Sequence, residues 1–370
     1  MNKFKRIAFG LVTGLAGALL TVSIASASTN QDQNNNDDNV QDTITRQVSH
    51  MSWRQKISQM IVGANLSNNP SQAAKEVRRY QLGGVLLNGN ITRDKRLDYS
   101  MQRASHNSLL IGTDQEGGEV SRLSYNPSRY PSPRAAYRRG GWRGITKAYS
   151  YSAWKLRKLG INWNYAPDAD VATSGYMNQY QRSFGKGPKM TAKYISYAVP
   201  AIQHQHVAAT LKHFPGYGNA NKDTDFASVI SNRSIAYLKR NDFLPFKAGI
   251  NKDVDSVMIT NIILNKVQRG VPATLSRKDI SLLRNDLHFN GVIVTDSLDA
   301  KSISSYAYRH HVSPAFLAMK AGNDMIMTSG SRKYTPQLTW AVKHGKLSKK
   351  QINASVRRIL TMKAKLGLNY

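Results

Sequence analysis

The sequence predicts one α/β domain over residues 50–370, a (β/α)₈ TIM-type barrel, preceded by a signal peptide and a disordered linker. Short, almost continuously apolar segments alternate with longer helical patterns, as expected of parallel strands that are covered on both faces. No Gly-x-Gly-x-x-Gly fingerprint follows the first of these segments, which argues against a doubly wound sheet. The predicted strands are residues 84–87, 109–113, 162–166, 208–212, 256–260, 292–295 and 324–327.

Residues 1–27 have the features of a secretory signal peptide. Cations at positions 3, 5 and 6 precede an apolar, glycine-containing run over residues 7–24, and Ala25-Ser26-Ala27 supplies a small-residue cleavage site. The apolar run is short and rich in glycine for a permanent anchor. We therefore expect export with cleavage near Ala27 and no membrane span in the mature protein.

Residues 28–49 are predicted to form a flexible linker. The segment 28–45 reads STNQDQNNNDDNVQDTIT, which is polar and nearly free of large apolar side chains. Such a segment buries too little apolar surface to offset the entropy of ordering its backbone. The chain contains no cysteine, so it has neither a disulfide framework nor a cysteine that could carry lipid at the cleavage site.

The chain is strongly basic, with a formal net charge of +30 at pH 7. Without the three cations of the signal peptide, the mature protein would carry +27. A field of this sign attracts polyanions. For an exported protein we expect these to be anionic cell-wall polymers and not nucleic acid, because no zinc finger, helix-turn-helix or RNA-binding aromatic motif accompanies the cations. We expect a monomer that is secreted or associated with the cell wall.

Polar side chains lie at the C-terminal ends of the predicted strands, where barrel enzymes carry out their chemistry. Cations and isolated carboxylates gathered at one face of a barrel are typical of a glycosidase site. These strand-end residues are Asp114, Asp168 or Asp170, Lys212, His213, Asn261 and Asp296.

Several segments in order carry a family resemblance: GTDQEGGEVSRL, NWNYAPDADV, QRSFG, LKHFPGYGN, PATLSRKDISLLRNDLHFNGVIVTDSL and AGNDMIM. Together they resemble glycoside hydrolase family 3, and specifically its bacterial β-N-acetylglucosaminidase branch. The resemblance covers residues 51–368. It is to the single-domain members of the family, without the second α/β domain that larger members add. It implies a secreted retaining glycosidase that removes terminal β-linked N-acetylglucosamine from peptidoglycan fragments or surface glycans, without a cofactor.

The resemblance also implies roles for individual residues. Asp296 in VTDSL matches the family nucleophile, and a retaining glycosidase needs an ionised carboxylate that attacks the anomeric carbon and later leaves it. Asp170 matches an aspartate that more often organises the site than contacts the sugar. The positions that hold sugar hydroxyls and the N-acetyl group are matched by Asp114, Arg122, Arg182, Lys212 and His213.

The loop after KHFPG departs from the family pattern. In this branch a Gly-His-Gly followed by Asp-Ser-His normally supplies a histidine as general acid/base, but Tyr217, Asp223, Thr224 and Asp225 stand there instead. Asp225 is the first candidate for the acid/base, since a carboxyl with a raised pKa can protonate a glycosidic oxygen. Asp223 would raise that pKa if the loop brings both carboxylates together. In the second interpretation the general acid/base is Asp223, Tyr217 or a histidine from elsewhere in the chain.

Two other functions stay open at this point. The chain could be a β-glucosidase or β-xylosidase of the same family, or a catalytically impaired protein that binds cell-wall carbohydrate. Retention of Asp296 argues against a pure binding protein, which has no need of a nucleophile. No metal site is predicted, because the adjacent His310 and His311 lack helical ligand spacing and an acidic neighbour in the sequence.

Overall fold

The structure is a computed structural model that describes residues 38–91, 95–124, 126 and 128–369. The chain divides into two compact units, Met1–Ser49 and His50–Tyr370. The predicted signal peptide and residues 28–37 of the predicted linker lie outside the described residues. Within the described ranges, no helix has both the length and the apolar character needed to cross a membrane.

Residues 38–50 form a helix, although a disordered linker was predicted as far as residue 49. Val40, Ile44 and Val48 recur at four-residue spacing, which aligns them along one side of the helix. The side chains of Ile44 and Val48 are buried. The prediction of disorder is therefore wrong for residues 38–49. It relied on the polar composition of the segment and did not consider the amphipathic spacing of its apolar residues.

In the unit His50–Tyr370, eight parallel strands close into a barrel, which confirms the predicted fold class. We number them β1 to β8 in chain order; each pairs with its sequence neighbours, and β8 closes on β1. The strands are Ile61–Gly63, Gly84–Leu86, Leu110–Thr113, Trp163–Asn164, Ala208–Phe214, Ser256–Ile259, Val292–Ser297 and Met325–Thr328. A separate two-stranded sheet joins Ile230–Ser231 to Ile263–Leu264.

Strand β1 was not among the predicted strands. It is only three residues long, and all three are buried. It follows the helix Trp53–Gln59 after the single residue Met60, so its apolar residues continue the helical pattern without a turn signal between them. A short apolar run of this kind cannot be assigned to a strand by periodicity alone.

Helices connect the strands, and capping side chains mark where several of them begin. Asn69 accepts the backbone N–H groups of Ser71 and Gln72 at 3.0 and 3.1 Å, and Ser276 accepts that of Asp279 at 3.1 Å. The α-helices of this unit are Trp53–Gln59, Pro70–Tyr80, Lys95–Ala104, Pro133–Lys158, Gly175–Gln179, Pro188–Gln203, Ile235–Arg240, Phe243–Ile250, Arg277–Ser281, Lys301–His310, Pro314–Ala321, Ser331–Lys343 and Lys349–Lys365. Leu282–Asp286 extends one of them as a π-helix, and Ala273–Leu275 is a 3₁₀ turn.

The N-terminal part of the barrel interior is filled by Trp163. Its indole N–H lies 2.8 Å from the Thr210 hydroxyl and 2.9 Å from the Ser256 hydroxyl, so three strands are joined across the interior. Tyr165 packs beside it, with ring centroids 4.7 Å apart. The interior around these two rings is therefore a packed core.

Lys363 is a buried cation that should lower stability. Its side chain is fully buried, its Nζ donates to Gln59 Oε1 at 2.6 Å, and burial lowers its pKa to about 7. The unfolded chain therefore binds more protons between pH 7 and pH 10, and the unfolding free energy should rise with pH across that window. We expect Lys363→Met to raise the unfolding free energy at pH 7 by about 1–3 kcal/mol and to flatten this rise.

Urea denaturation at several pH values measures this effect. Lys365→Met is the matched control on the same helix, because Lys365 forms an exposed ion pair with Asp253 and its loss should change stability by less than about 1 kcal/mol. A Lys363→Met protein that is less stable than the native chain at pH 7 would contradict the prediction.

Candidate active site

A cavity of about 290 Å³ opens where the barrel strands end. Its wall combines side chains at the ends of β3, β5 and β7, which are far apart in the sequence but end at the same face of the closed barrel. Eight of the predicted site residues line it: Asp114, Arg122, Arg182, Lys212, His213, Asp223, Asp225 and Asp296. Glu116, Tyr176 and Tyr217 also line the cavity.

Lys212 and Arg182 are joined to one buried carboxylate, Glu116. Lys212 Nζ lies 2.7 Å from Glu116 Oε1 and 2.6 Å from Asp114 Oδ1. Arg182 forms a two-pronged contact, with Nε 3.0 Å from Glu116 Oε2 and Nη2 2.9 Å from Glu116 Oε1. Burial by itself raises the pKa of Glu116, but Arg182 and Lys212 outweigh it, so the pKa is lowered. Glu116 therefore stays ionised and holds both cations in place.

Glu116 was missing from the predicted site residues, although it lies in the TDQEGG segment only two positions after Asp114. A second carboxylate so close to a strand-end aspartate is the signal that indicates it. Its position depends on Gly117 and Gly118, which adopt φ values of +92° and +66° and turn the chain back at once. In this turn, the N–H groups of Glu116 and Gly117 both donate to the Val120 carbonyl.

His213 is fixed by Asp170 behind the cavity. His213 Nδ1 lies 2.8 Å from Asp170 Oδ2, and Arg182 Nη2 lies 3.5 Å from His213 Nε2. Burial, assisted by the Arg182 charge, lowers the pKa of His213 to about 4. The imidazole is therefore neutral near pH 7, and it donates from Nδ1 to Asp170 while Nε2 faces the arginine.

Asp168, Asp170 and His213 are three potential metal ligands that meet within the described ranges. The site residues already occupy most of these atoms: Asp170 Oδ1 accepts the Tyr217 N–H at 2.6 Å, and Oδ2 faces the imidazole. Asp168 Oδ1 accepts the Asp170 N–H at 2.9 Å. The cluster therefore acts as an internal brace for the loop that follows β5.

Asp296 lies at the end of β7 and is partly exposed to the cavity. Its Oδ1 accepts the N–H of Ser297 at 2.7 Å, and the Ser297 carbonyl in turn accepts the Asn261 amide at 2.9 Å. Burial raises the pKa of Asp296 to about 6, and the Asp225 charge contributes to the rise. The side chain is thus held in one orientation and electrostatically linked to a second carboxyl.

The loop of residues 217–225 is held on both sides, and we call it the acid loop. The Tyr217 hydroxyl donates to the Lys222 carbonyl and accepts the Thr224 N–H, both at 2.9 Å. The carbonyls of Thr224 and Asp225 accept N–H groups of Ser302 and Lys301, at 3.3 and 3.0 Å. The acid loop therefore provides hydrogen-bond acceptors for the start of the helix Lys301–His310, which follows β7.

Within the acid loop, Asp223 and Asp225 have different surroundings. Asp223 Oδ2 accepts the Tyr176 hydroxyl at 2.7 Å, and Oδ1 accepts the Asp225 N–H at 3.0 Å. Among the described residues, the Asp225 carboxylate has neither a hydrogen bond nor an ion pair. Lost hydration at the cavity wall raises the pKa of Asp225, and the charges of Asp223 and Asp114 raise it further. Asp225 is thus the carboxyl that is available to a ligand.

A comparison with known families assigns the chain. The model described as the glycosyl hydrolase family 3 N-terminal domain matches residues 52–362. The chain belongs to glycoside hydrolase family 3. The match confirms the family and the enzyme class, a glycosidase, that the sequence motifs predict.

Three relatives of this family 3 glycosidase illustrate the match. An uncharacterized secreted glycosyl hydrolase of Arthroderma benhamiae is 29% identical over 269 residues, which cover 70% of this chain and 75% of the relative. A β-N-acetylglucosaminidase/β-glucosidase of Cellulomonas fimi is 26% identical over 337 residues, or 87% of this chain and 59% of the relative. The solved structure of a family 3 β-N-acetylglucosaminidase from Paenibacillus sp. str. FPU-7 has a TM-score of 0.79 at 29% identity, covering 86% of this chain and 63% of that one.

Two residues of the glycosidase differ from the rest of the predicted set. Asp170 is fully buried and does not line the cavity, so it organises His213 and is not in a position to contact sugar. Arg122 lines the cavity, and its Nε is buried without a hydrogen-bond partner among the described residues. A buried N–H group without an acceptor costs free energy, and a bound polar ligand that accepts a hydrogen bond from Arg122 would remove that cost.

Proposed function

We propose that this protein is a secreted, retaining glycoside hydrolase that removes terminal β-linked N-acetylglucosamine, with Asp296 as nucleophile and Asp225 as general acid/base. The observation that carries the proposal is the pair of carboxyl groups in one cavity, one at a strand end and one on the acid loop. A retaining glycosidase needs two such groups in different protonation states. The N-acetylglucosaminide specificity rests on the sequence motifs and on the named activities of relatives such as the Paenibacillus enzyme.

The electrostatics of this pair suit a two-step reaction. Burial and the Asp225 charge raise the pKa of Asp296 to about 6, and burial and the charges of Asp223 and Asp114 raise the pKa of Asp225. Over an intermediate pH range we therefore expect the two carboxyl groups to hold one proton between them. In the first step Asp225 donates that proton to the glycosidic oxygen while Asp296 attacks the anomeric carbon and forms a glycosyl ester. The ester carries no charge, so the pKa of Asp225 falls. Asp225 is then ionised and takes a proton from the water that cleaves the ester.

The cluster centred on Glu116 provides the sugar-binding face in this proposal. Glu116 and Lys212 are each 1% exposed at the side chain, whereas Asp114 remains 22% exposed and can accept hydrogen bonds from neighbouring hydroxyl groups. Arg122 supplies the unpaired donor. Because the ion pairs hold these side chains before a sugar arrives, little conformational entropy is lost when it binds.

Export and wall association belong to the same proposal. They are supported by the signal-peptide pattern of residues 1–27, by the charge of +30 and by the description of the Arthroderma benhamiae relative as secreted. Peptidoglycan fragments or surface glycans are then the substrates that such a protein meets. The second candidate function is a β-glucosidase, which is favoured by the name of the Cellulomonas fimi relative.

Chromogenic glycosides distinguish the candidate functions. We expect kcat/KM for 4-nitrophenyl β-N-acetylglucosaminide to exceed that for the matching glucoside and xyloside by roughly tenfold or more, since a site that binds an amide loses paired hydrogen bonds when the amide is absent. Equal or faster turnover of the glucoside would favour the second candidate. Tight binding to cell walls without turnover of any glycoside between pH 4 and 8 would indicate a binding protein.

A further inference from the structure

A second cavity, of about 680 Å³, lies on the outer helices of the barrel and shares no lining residue with the catalytic cavity. Its walls come from the helices Trp53–Gln59, Pro70–Tyr80 and Ser331–Lys343. We call it the Trp340 groove and define it by Arg54, Arg79, Arg332, Thr335, Trp340 and Lys343. The established family and the proposed reaction assign no role to it.

The groove is strongly cationic. Arg54, Arg79, Arg332 and Lys343 are all exposed, and no acidic residue lines the cavity. Among the described residues, none of the four forms an ion pair, although acidic partners hold other cations such as Arg233 and Lys239. Four unpaired cations around one concave surface repel one another, and that repulsion is relieved when an anion binds.

Aromatic and hydroxyl groups accompany the cations. Trp340 is 55% exposed, and it is kept in place by His344, whose ring stacks on it with centroids 4.3 Å apart. The His344 Nδ1 also lies 2.8 Å from the Trp340 carbonyl. Thr335 is buried at the groove, and its hydroxyl has no hydrogen-bond partner among the described residues. The groove thus offers a fixed apolar ring and an unused hydroxyl beside its charges.

We propose that the Trp340 groove binds an anionic polymer of phosphate diesters linked by polyol or sugar units that carry no nucleobase. Guanidinium groups suit phosphate because their N–H donors match pairs of phosphate oxygens, and three of the four cations are arginines. The exposed indole can pack against the uncharged C–H faces of a polyol or sugar. Since the groove and the catalytic cavity are separate, a polymer held there leaves the catalytic cavity open.

The test compares two triple variants that change the net charge equally. Arg79→Gln, Arg332→Gln and Lys343→Gln remove groove cations, whereas Lys252→Gln, Lys266→Gln and Arg269→Gln remove exposed cations elsewhere. Binding of soluble poly(glycerol phosphate) is measured by calorimetry. We expect the groove variant to bind roughly tenfold or more weakly and the control variant to lose less than about threefold. Trp340→Ala should weaken binding without a change of charge.

Other outcomes would overturn the proposal. Equal losses in the two triple variants would show that binding follows the net charge alone. If oligodeoxythymidylate or polygalacturonate bound as tightly, with the same dependence on the groove cations, the partner would be a nucleic acid or a polycarboxylate. Turnover of a small chromogenic substrate should stay unchanged in all these variants, so failure of the groove proposal and failure of the proposed reaction are separable.

Discussion

Replacing Asp296 by asparagine should lower kcat by about 10⁴-fold or more, the scale of loss when a catalytic nucleophile is removed. The amide is close to the same size, and its oxygen can still accept the Ser297 N–H, so the fold should be preserved. An amide cannot form the glycosyl ester, however, and it carries no charge to stabilise the oxocarbenium-like transition state. The measurement is turnover of an activated aryl glycoside by the purified variant.

Two further measurements link this loss to the nucleophile. Asp253→Asn is the control, since Asp253 is an exposed acid whose side chain is 85% accessible, and its activity should be unchanged. Adding azide to Asp296→Gly should restore turnover and release a glycosyl azide of inverted anomeric configuration, because the anion attacks from the side that the carboxylate vacates. More than a few per cent of native activity in Asp296→Asn would show that the nucleophile is another residue.

Asp225→Asn should lower kcat/KM by roughly 10²- to 10⁴-fold for substrates with poor leaving groups, because the proton donor is lost. A dinitrophenyl glycoside needs little protonation, so glycosylation of Asp296 by this substrate should be nearly unchanged. The pH profile should change in two ways. The decline at high pH disappears with the acid, and the acidic limb moves below pH 6, since removal of the Asp225 charge lowers the pKa of Asp296.

Asp223→Asn is the matched comparison for that prediction. Asp223 is tied to Tyr176 and to the Asp225 N–H, so its amide should weaken the support of the acid loop and cost only about tenfold. If Asp223→Asn instead removed the limb at high pH while Asp225→Asn did not, the roles of the two aspartates would be exchanged.

The barrel was predictable because its buried strands form continuous apolar runs in the sequence, and seven of the eight are visible in this way. The exception, β1, follows a helix too closely to be separated by periodicity. The helix over residues 38–50 was missed for a different reason. Its three apolar residues recur at four-residue spacing, but the polar composition of the segment favoured a prediction of disorder.

The candidate site was predictable where a residue lies at or just beyond the end of a strand, as Asp114, Lys212 and Asp296 do. The sequence does not distinguish Asp223 from Asp225, because the two differ in their tertiary contacts. The Tyr176 hydroxyl that donates to Asp223 lies 47 positions away in the sequence. Glu116 was not predicted either, for a related reason. Its importance depends on the approach of Arg182 and Lys212, which no local pattern displays.

The contact between the acid loop and the helix Lys301–His310 has a consequence for protein engineering. A loop transplanted from a histidine-bearing relative would have to present two carbonyl groups to the N–H groups of Lys301 and Ser302, whatever acid it carries. A graft that supplies the histidine but misplaces those carbonyls would loosen the helix that follows Asp296 and disturb the proposed nucleophile together with the proposed acid. Exchange of the proton donor in this scaffold is therefore limited first by main-chain geometry and only then by side-chain chemistry.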